Sequence, residues 1–166
     1  MIANGVLSEG GRGSFIHYEP LIFWIGVVAF LSSSNASMAE TNIFIGPILK
    51  YLLPSASPET LRAIHVVIRK LAHFTEYSIF ALFAVRALVN SSINSRGKWR
   101  YILPLALVAV IATADEINQS FDVARTGLAS DALLDIASGA VMVAILWTLK
   151  WPRPPVALQL SPEGSE

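Results

Sequence analysis

The sequence predicts an all-α fold, a polytopic membrane bundle of about four transmembrane helices plus a short interfacial helix. Three observations lead there. The 166-residue chain is 54% hydrophobic and 14% charged, where a soluble domain carries about 25% charged residues. Four apolar stretches follow one another, each near the length of about 20 residues that a spanning helix needs. The charged residues sit at the ends of those stretches instead of being spread along the chain. Composition also excludes several classes. Lys plus Arg and Asp plus Glu are equal at 12 each, so no basic surplus points to nucleic acid. Cysteine is absent, which removes disulfides, thiolate metal sites and cysteine nucleophiles.

The first apolar stretch, PLIFWIGVVAFLSSS, runs from Pro20 to Ser34. Its small-residue end resembles a signal-peptide cleavage region. The preceding segment argues against cleavage, being long, with Glu9 and Glu19 and a single basic side chain, Arg12. IFIGPILKYLLP, Ile43 to Pro54, is too short to cross and reads as an amphipathic helix at the interface. The second span is LAHFTEYSIFALFAVRALV, Leu71 to Val89, and the third is YILPLALVAVIATA, Tyr101 to Ala114, continuing into DEINQ. The fourth is ALLDIASGAVMVAILWTL, Ala132 to Leu149. Residues 1–19 form an N-terminal cytoplasmic segment, 20–149 the transmembrane domain, and 150–166 a proline-rich polar tail expected to be disordered.

Basic residues set the orientation. Arg96, Lys98 and Arg100 lie between spans two and three, and Lys150 and Arg153 follow span four. Positively charged loops stay cytoplasmic, so both termini are expected inside. Trp99, Tyr101, Trp147 and Trp151 suit an aromatic belt at that face.

The opposite face then receives the polar ends. Span two brings Lys70, His73, Glu76 and Tyr77, whose spacings of three and four put them on one helical face. Span three ends with Asp115, Glu116 and Gln119 within about a third of the helix circumference. Span four begins with Asp131 and Asp135 one turn apart, with Ser138 on the same stripe and Gly139 beside it. Arg125 lies in the connection, and Ser32, Ser33 and Ser34 end span one. Ionisable groups inside spans are costly and usually face a bundle interior or cavity. Glu76, Asp115, Glu116, Asp122, Asp131 and Asp135 outnumber Arg69, Lys70 and Arg125. That surplus is expected to be met by protonation of one or two carboxyls, Glu76 or Asp135 above all because they lie deepest in their spans, with a cation or cationic ligand as the alternative.

KLAHFTEYSIFALF, ADEINQSF, the Arg125 connection and SDALLDIASGA together resemble the VanZ-like family of bacterial membrane proteins. The shared positions are Lys70, His73, Phe74, Glu76 and Tyr77; Asp115, Glu116 and Gln119; Arg125; and Asp131, Asp135 and Gly139. Val143 stands where the family pattern has a second glycine, which puts close helix packing there in question. The resemblance covers Pro20 to Leu149 and implies a multi-span protein of the bacterial inner membrane. The family's founding member is associated with resistance to the glycopeptide teicoplanin, which makes a lipid-linked or glycopeptide ligand the partner to expect besides the bilayer.

Three chemistries compete for these residues. His73 with Glu76 and Asp131 or Asp135 has donors for a divalent metal, but one histidine is a thin set for zinc, and no metal is expected. His73 could act as a general acid or base with a carboxylate behind it, while Lys70 and Arg125 hold a phosphate. The catalytic candidates on that reading are His73, Glu76, Asp115 and Asp135. Equally, Lys70 and Arg125 pair with neighbouring acids, and the whole set is a hydrogen-bonded network fixing helix register. Ser32 to Ser34 read as helix-end serines bonded to backbone rather than nucleophiles. A proton path through the membrane is disfavoured because Leu105 to Ile111 and Gly139 to Leu146 are apolar. His17 and His65 lie outside the motifs and read as incidental. The expected function is a pocket, open to the outside, that binds a cell-wall, lipid-linked or antibiotic ligand; an integral membrane enzyme using His73 is the competing class.

Overall fold

The computed structural model describes residues 18–33, 38–89, 98–121 and 129–151. The N-terminal segment, the tail from residue 152, Ser34, Arg96, Asp122 and Arg125 lie outside the described residues. Among the described residues every element is a helix: α1 Glu19–Ser32, α2 Met38–Leu52, α3 Pro58–Val89, α4 Trp99–Ser120 and α5 Ala129–Thr148. The protein is an all-α membrane bundle. Helices α3, α4 and α5 are long and apolar enough to cross a bilayer. Helix α1 has 14 residues, about 21 Å at 1.5 Å per residue, against a hydrocarbon core of about 30 Å.

Helix α3 is 32 residues long and begins 13 residues before Leu71, where the apolar span was expected to start. Its start has a local cause. Ser57 Oγ accepts a hydrogen bond from the Thr60 backbone N–H at 3.2 Å, and Pro58 fills the first helical position, where no N–H is needed. No further proline or glycine interrupts the chain until after Val89. The amphipathic segment expected from Ile43 to Pro54 is the second half of α2, which packs on the N-terminal part of α3. Between them the His65 ring lies within 3.2 Å of Thr41 Oγ1. His65, read from sequence as incidental, is only 2% exposed. Its burial depends on α2 folding back over α3, which local periodicity does not report.

The core is the α3–α4–α5 interface, with Phe80, Ala81, Ala84, Val85, Val108 and Ala112 buried at its centre. Gly139 sets the approach of α5 to α4: a Cβ there would stand 2.6 Å from Val108 Cγ1. One glycine is therefore enough for close contact, and Val143, one turn on, is buried beside it. Helix α1 docks on this unit through Trp24. Its indole Nε1 donates to the Glu76 carbonyl at 3.0 Å, and its ring meets Phe83 edge-on with centroids 5.7 Å apart. Outward positions of the spans carry Ile102, Val110, Ile117, Leu133, Val141 and Ile145, apolar and exposed as a lipid-facing surface requires.

Candidate functional site

The polar residues come together where α1 and α4 end and α3 and α5 carry their motifs. Each helix contributes by register. On α3, His73, Glu76 and Tyr77 lie on the face turned to α4 and α5, because spacings of three and four keep side chains in line. On α4, Asp115 and Gln119 are one turn apart, and on α5, Asp135 and Ser138 share a face.

Tyr77, Asp115 and Gln119 form the tightest group. The Tyr77 hydroxyl donates to Asp115 Oδ2 at 2.9 Å, and Gln119 Nε2 donates to the same oxygen at 3.1 Å. All three side chains are buried. Among the described residues Asp115 Oδ1 has no hydrogen-bond partner. Beside this group, His73 Nδ1 lies 3.5 Å from Asp135 Oδ1. Asp135 is 1% exposed, and among the described residues neither of its carboxylate oxygens makes a hydrogen bond. Donor atoms of His73, Asp115 and Asp135 all lie within 4.8 Å of one another. Ser138 Oγ donates to the Asp135 carbonyl within α5 at 2.7 Å, and Ser78 Oγ donates across to the Ser138 carbonyl at 3.4 Å, a side-chain-to-backbone contact between α3 and α5 at this depth.

Other residues named from sequence take different places. Lys70 Nζ meets Asp131 Oδ1 at 3.4 Å with side chains 53% and 38% exposed, a pair at the rim of the cluster. Glu76 and Glu116 are buried, but neither contributes to the group of three donors. Arg125 lies outside the described residues. Residues that sequence reasoning passed over also shape the site. Asn118 Nδ2 donates to Ser32 Oγ at 3.3 Å and ties the ends of α1 and α4. Between these helices lies a cavity of about 340 Å³, walled by Ile25, Val28 and Ile111 and bordered by Ser32, Asp115 and Asn118. Ser32 was named from sequence as a helix-end serine, and its hydroxyl also accepts from the Asn118 side chain; Asn118 sits within DEINQ but off the face that was followed.

The opposite end of the bundle has the reverse character. A groove of about 960 Å³ between the start of α4 and the end of α5 is lined by Lys98, Arg100, Tyr101, Trp147 and Lys150. The bundle thus has an acidic, histidine-containing end and a basic, aromatic end.

The family model described as VanZ/LLP1 matches residues 18–150, most of the chain and every element described above. The chain belongs to the VanZ/LLP1 family. No curated protein and no solved structure matches it. In this VanZ/LLP1-family protein the three polar motifs come from three separate spans, and the fold brings together one donor from each, with the two aspartates buried and His73 half-buried.

Proposed function

We propose that this VanZ/LLP1-family protein is a bacterial inner-membrane protein whose transmembrane domain, residues 20–149, binds a lipid-linked cell-wall component or a glycopeptide at its acidic end. That end faces outward and both termini face the cytoplasm. The observation that carries the reading is the cavity between α1 and α4, which has apolar walls and reaches the buried Asp115. At about 340 Å³ it falls at the lower end of the range of about 300–1,000 Å³ for ligand pockets. Apolar walls with a few polar groups at one end suit a molecule with a hydrocarbon part and a polar head. The orientation is supported by Lys98, Arg100 and Lys150 gathering at the other end, where positively charged ends stay cytoplasmic.

The test is expression of the wild type and Glu76→Gln in a glycopeptide-susceptible Gram-positive host at matched membrane levels. Protection against teicoplanin by the wild type alone ties the acidic end to envelope defence. Absence of protection by either protein removes that link.

One contact favours a second reading, an enzyme acting on a phosphorylated lipid or cell-wall precursor. His73 lies beside Asp135 at 3.5 Å, the pairing of a general base with a carboxylate that orients it. On that reading His73→Gln abolishes turnover while leaving binding intact.

A further inference from the structure

We infer that His73, Asp115 and Asp135 bind a divalent cation of the kind that takes mixed imidazole and carboxylate donors, with Mn²⁺ the best match and Zn²⁺ the nearest competitor. The inference deepens the reading of the acidic end as the functional centre and rests on that placement, although ion binding is measured independently of any envelope effect.

Two independent observations carry it. The first is convergence. One imidazole and two carboxylates, each from a different helix, bring their donor atoms within 4.8 Å of one another. At metal–ligand lengths of about 2.0–2.2 Å, two donors on one ion stand at most about 4.4 Å apart. Only one pair of the three can stand opposite across the ion, so side-chain shifts of up to about 1 Å close the set. The second is want of partners: among the described residues, Oδ2 of Asp135 and Oδ1 of Asp115 are buried without a hydrogen bond, while Oδ1 of Asp135 and Nδ1 of His73 pair with each other at 3.5 Å. Asp135 is almost wholly enclosed at 1% exposure. A network that served only to fix helix register would satisfy such groups, because buried polar atoms left unpaired are costly. Asp115 and Asp135, which carry these unsatisfied oxygens, are two of the three residues whose donors converge.

The surroundings fit an ion as well. Tyr77 and Gln119 both bond Asp115 Oδ2 and so hold its carboxylate in place, leaving Oδ1 for the centre. Ligating carboxylates are commonly steadied in this way by hydrogen-bonding neighbours. Two acidic ligands also match a double positive charge, which answers the carboxylate surplus read from the sequence. The donor set selects among ions. Mg²⁺ and Ca²⁺ prefer all-oxygen sites, and structural zinc sites are richer in cysteine and histidine. Three protein donors leave coordination positions open for water or for a phosphate oxygen of a lipid-linked ligand. A His73 that holds the ion is not available as a base, so the inference favours binding over the enzyme reading in its present form.

The experiment uses the full chain purified in detergent, stripped with a chelator, and titrated with MnCl₂ while the signal of free Mn²⁺ is followed by electron paramagnetic resonance. One ion per chain is expected. Asp135→Asn and His73→Gln should each weaken binding at least tenfold, and His65→Gln, which alters a histidine away from the centre, should not. Circular dichroism and elution volume establish that each variant is folded, and Asp115→Asn replaces whichever of the two fails. Failure of the folded wild type to take up Mn²⁺ or Zn²⁺ stoichiometrically overturns the inference. So does undiminished binding by the folded Asp135→Asn and His73→Gln variants. A protein that binds the ion yet gives no teicoplanin protection would overturn the envelope reading alone.

Discussion

The Tyr77 hydroxyl and the Asp115 carboxylate meet at 2.9 Å in the buried interior, joining two helices through residues 38 positions apart in sequence. Gln119 approaches the same carboxylate oxygen, so Asp115 is held from two sides. This arrangement makes Tyr77 a positioning residue for Asp115 as well as part of the core, where it meets Phe80 edge-on at 6.4 Å.

Tyr77→Phe keeps the ring and deletes the donor. Because Gln119 still serves the same oxygen, the expected loss is at the lower end of the range for a broken buried hydrogen bond, about 1 kcal/mol. Thermal unfolding in detergent measures it. A loss near zero would mean that the hydroxyl contributes nothing to holding Asp115.

Gly139→Ala should destabilise by about 1–3 kcal/mol, the usual cost of overpacking a tight contact. The new methyl would meet Val108 Cγ1 at 2.6 Å. Val108→Ala in the same chain removes the obstructing carbon and should recover part of the loss. A double variant no more stable than the sum of the two single losses would place the strain elsewhere.

Lys70→Gln should change stability by less than about 0.5 kcal/mol, since exposed ion pairs contribute little. Its partner Asp131 is also partly exposed. Thermal unfolding again reports the value. Loss of teicoplanin protection without loss of stability would give Lys70 a role in holding an anionic ligand.

His65→Ala should loosen α2 from α3 while sparing the α3–α4–α5 core. His65 is buried against Thr41 and lies far from the polar cluster along α3. Hydrogen exchange followed by mass spectrometry should show faster exchange in residues 41–52 and unchanged exchange in α5. Equal protection of α2 in both proteins would show that the contact with His65 does not hold it.

Much of the site was legible because helical register is local. The spacing of His73, Glu76 and Tyr77 puts them on one face whatever surrounds the helix, and the same holds for Asp115 with Gln119 and for Asp135 with Ser138. Their burial followed from placing ionisable groups inside apolar spans. The partners were not legible. Lys70 was expected to meet a neighbouring acid without the sequence saying which, and takes Asp131 at the rim. The pairing of His73 with Asp135 was one option among several.

The sequence by itself determined that this is an all-α membrane protein, which residues face inward on each span, and the family that its motifs identify. The fold class and the inward faces come from composition, apolar length and a repeat of 3.6 residues, each carried within a single helix, and the family from the resemblance of three motifs in their order along the chain. Tertiary structure decided which charges meet, that α3 extends past its apolar span beneath α2, and that Gly139 lets α5 approach Val108. Those outcomes depend on how helices rotate and cross, and on contacts between residues dozens of positions apart. Helix crossing is settled by the fit of whole side-chain surfaces against one another.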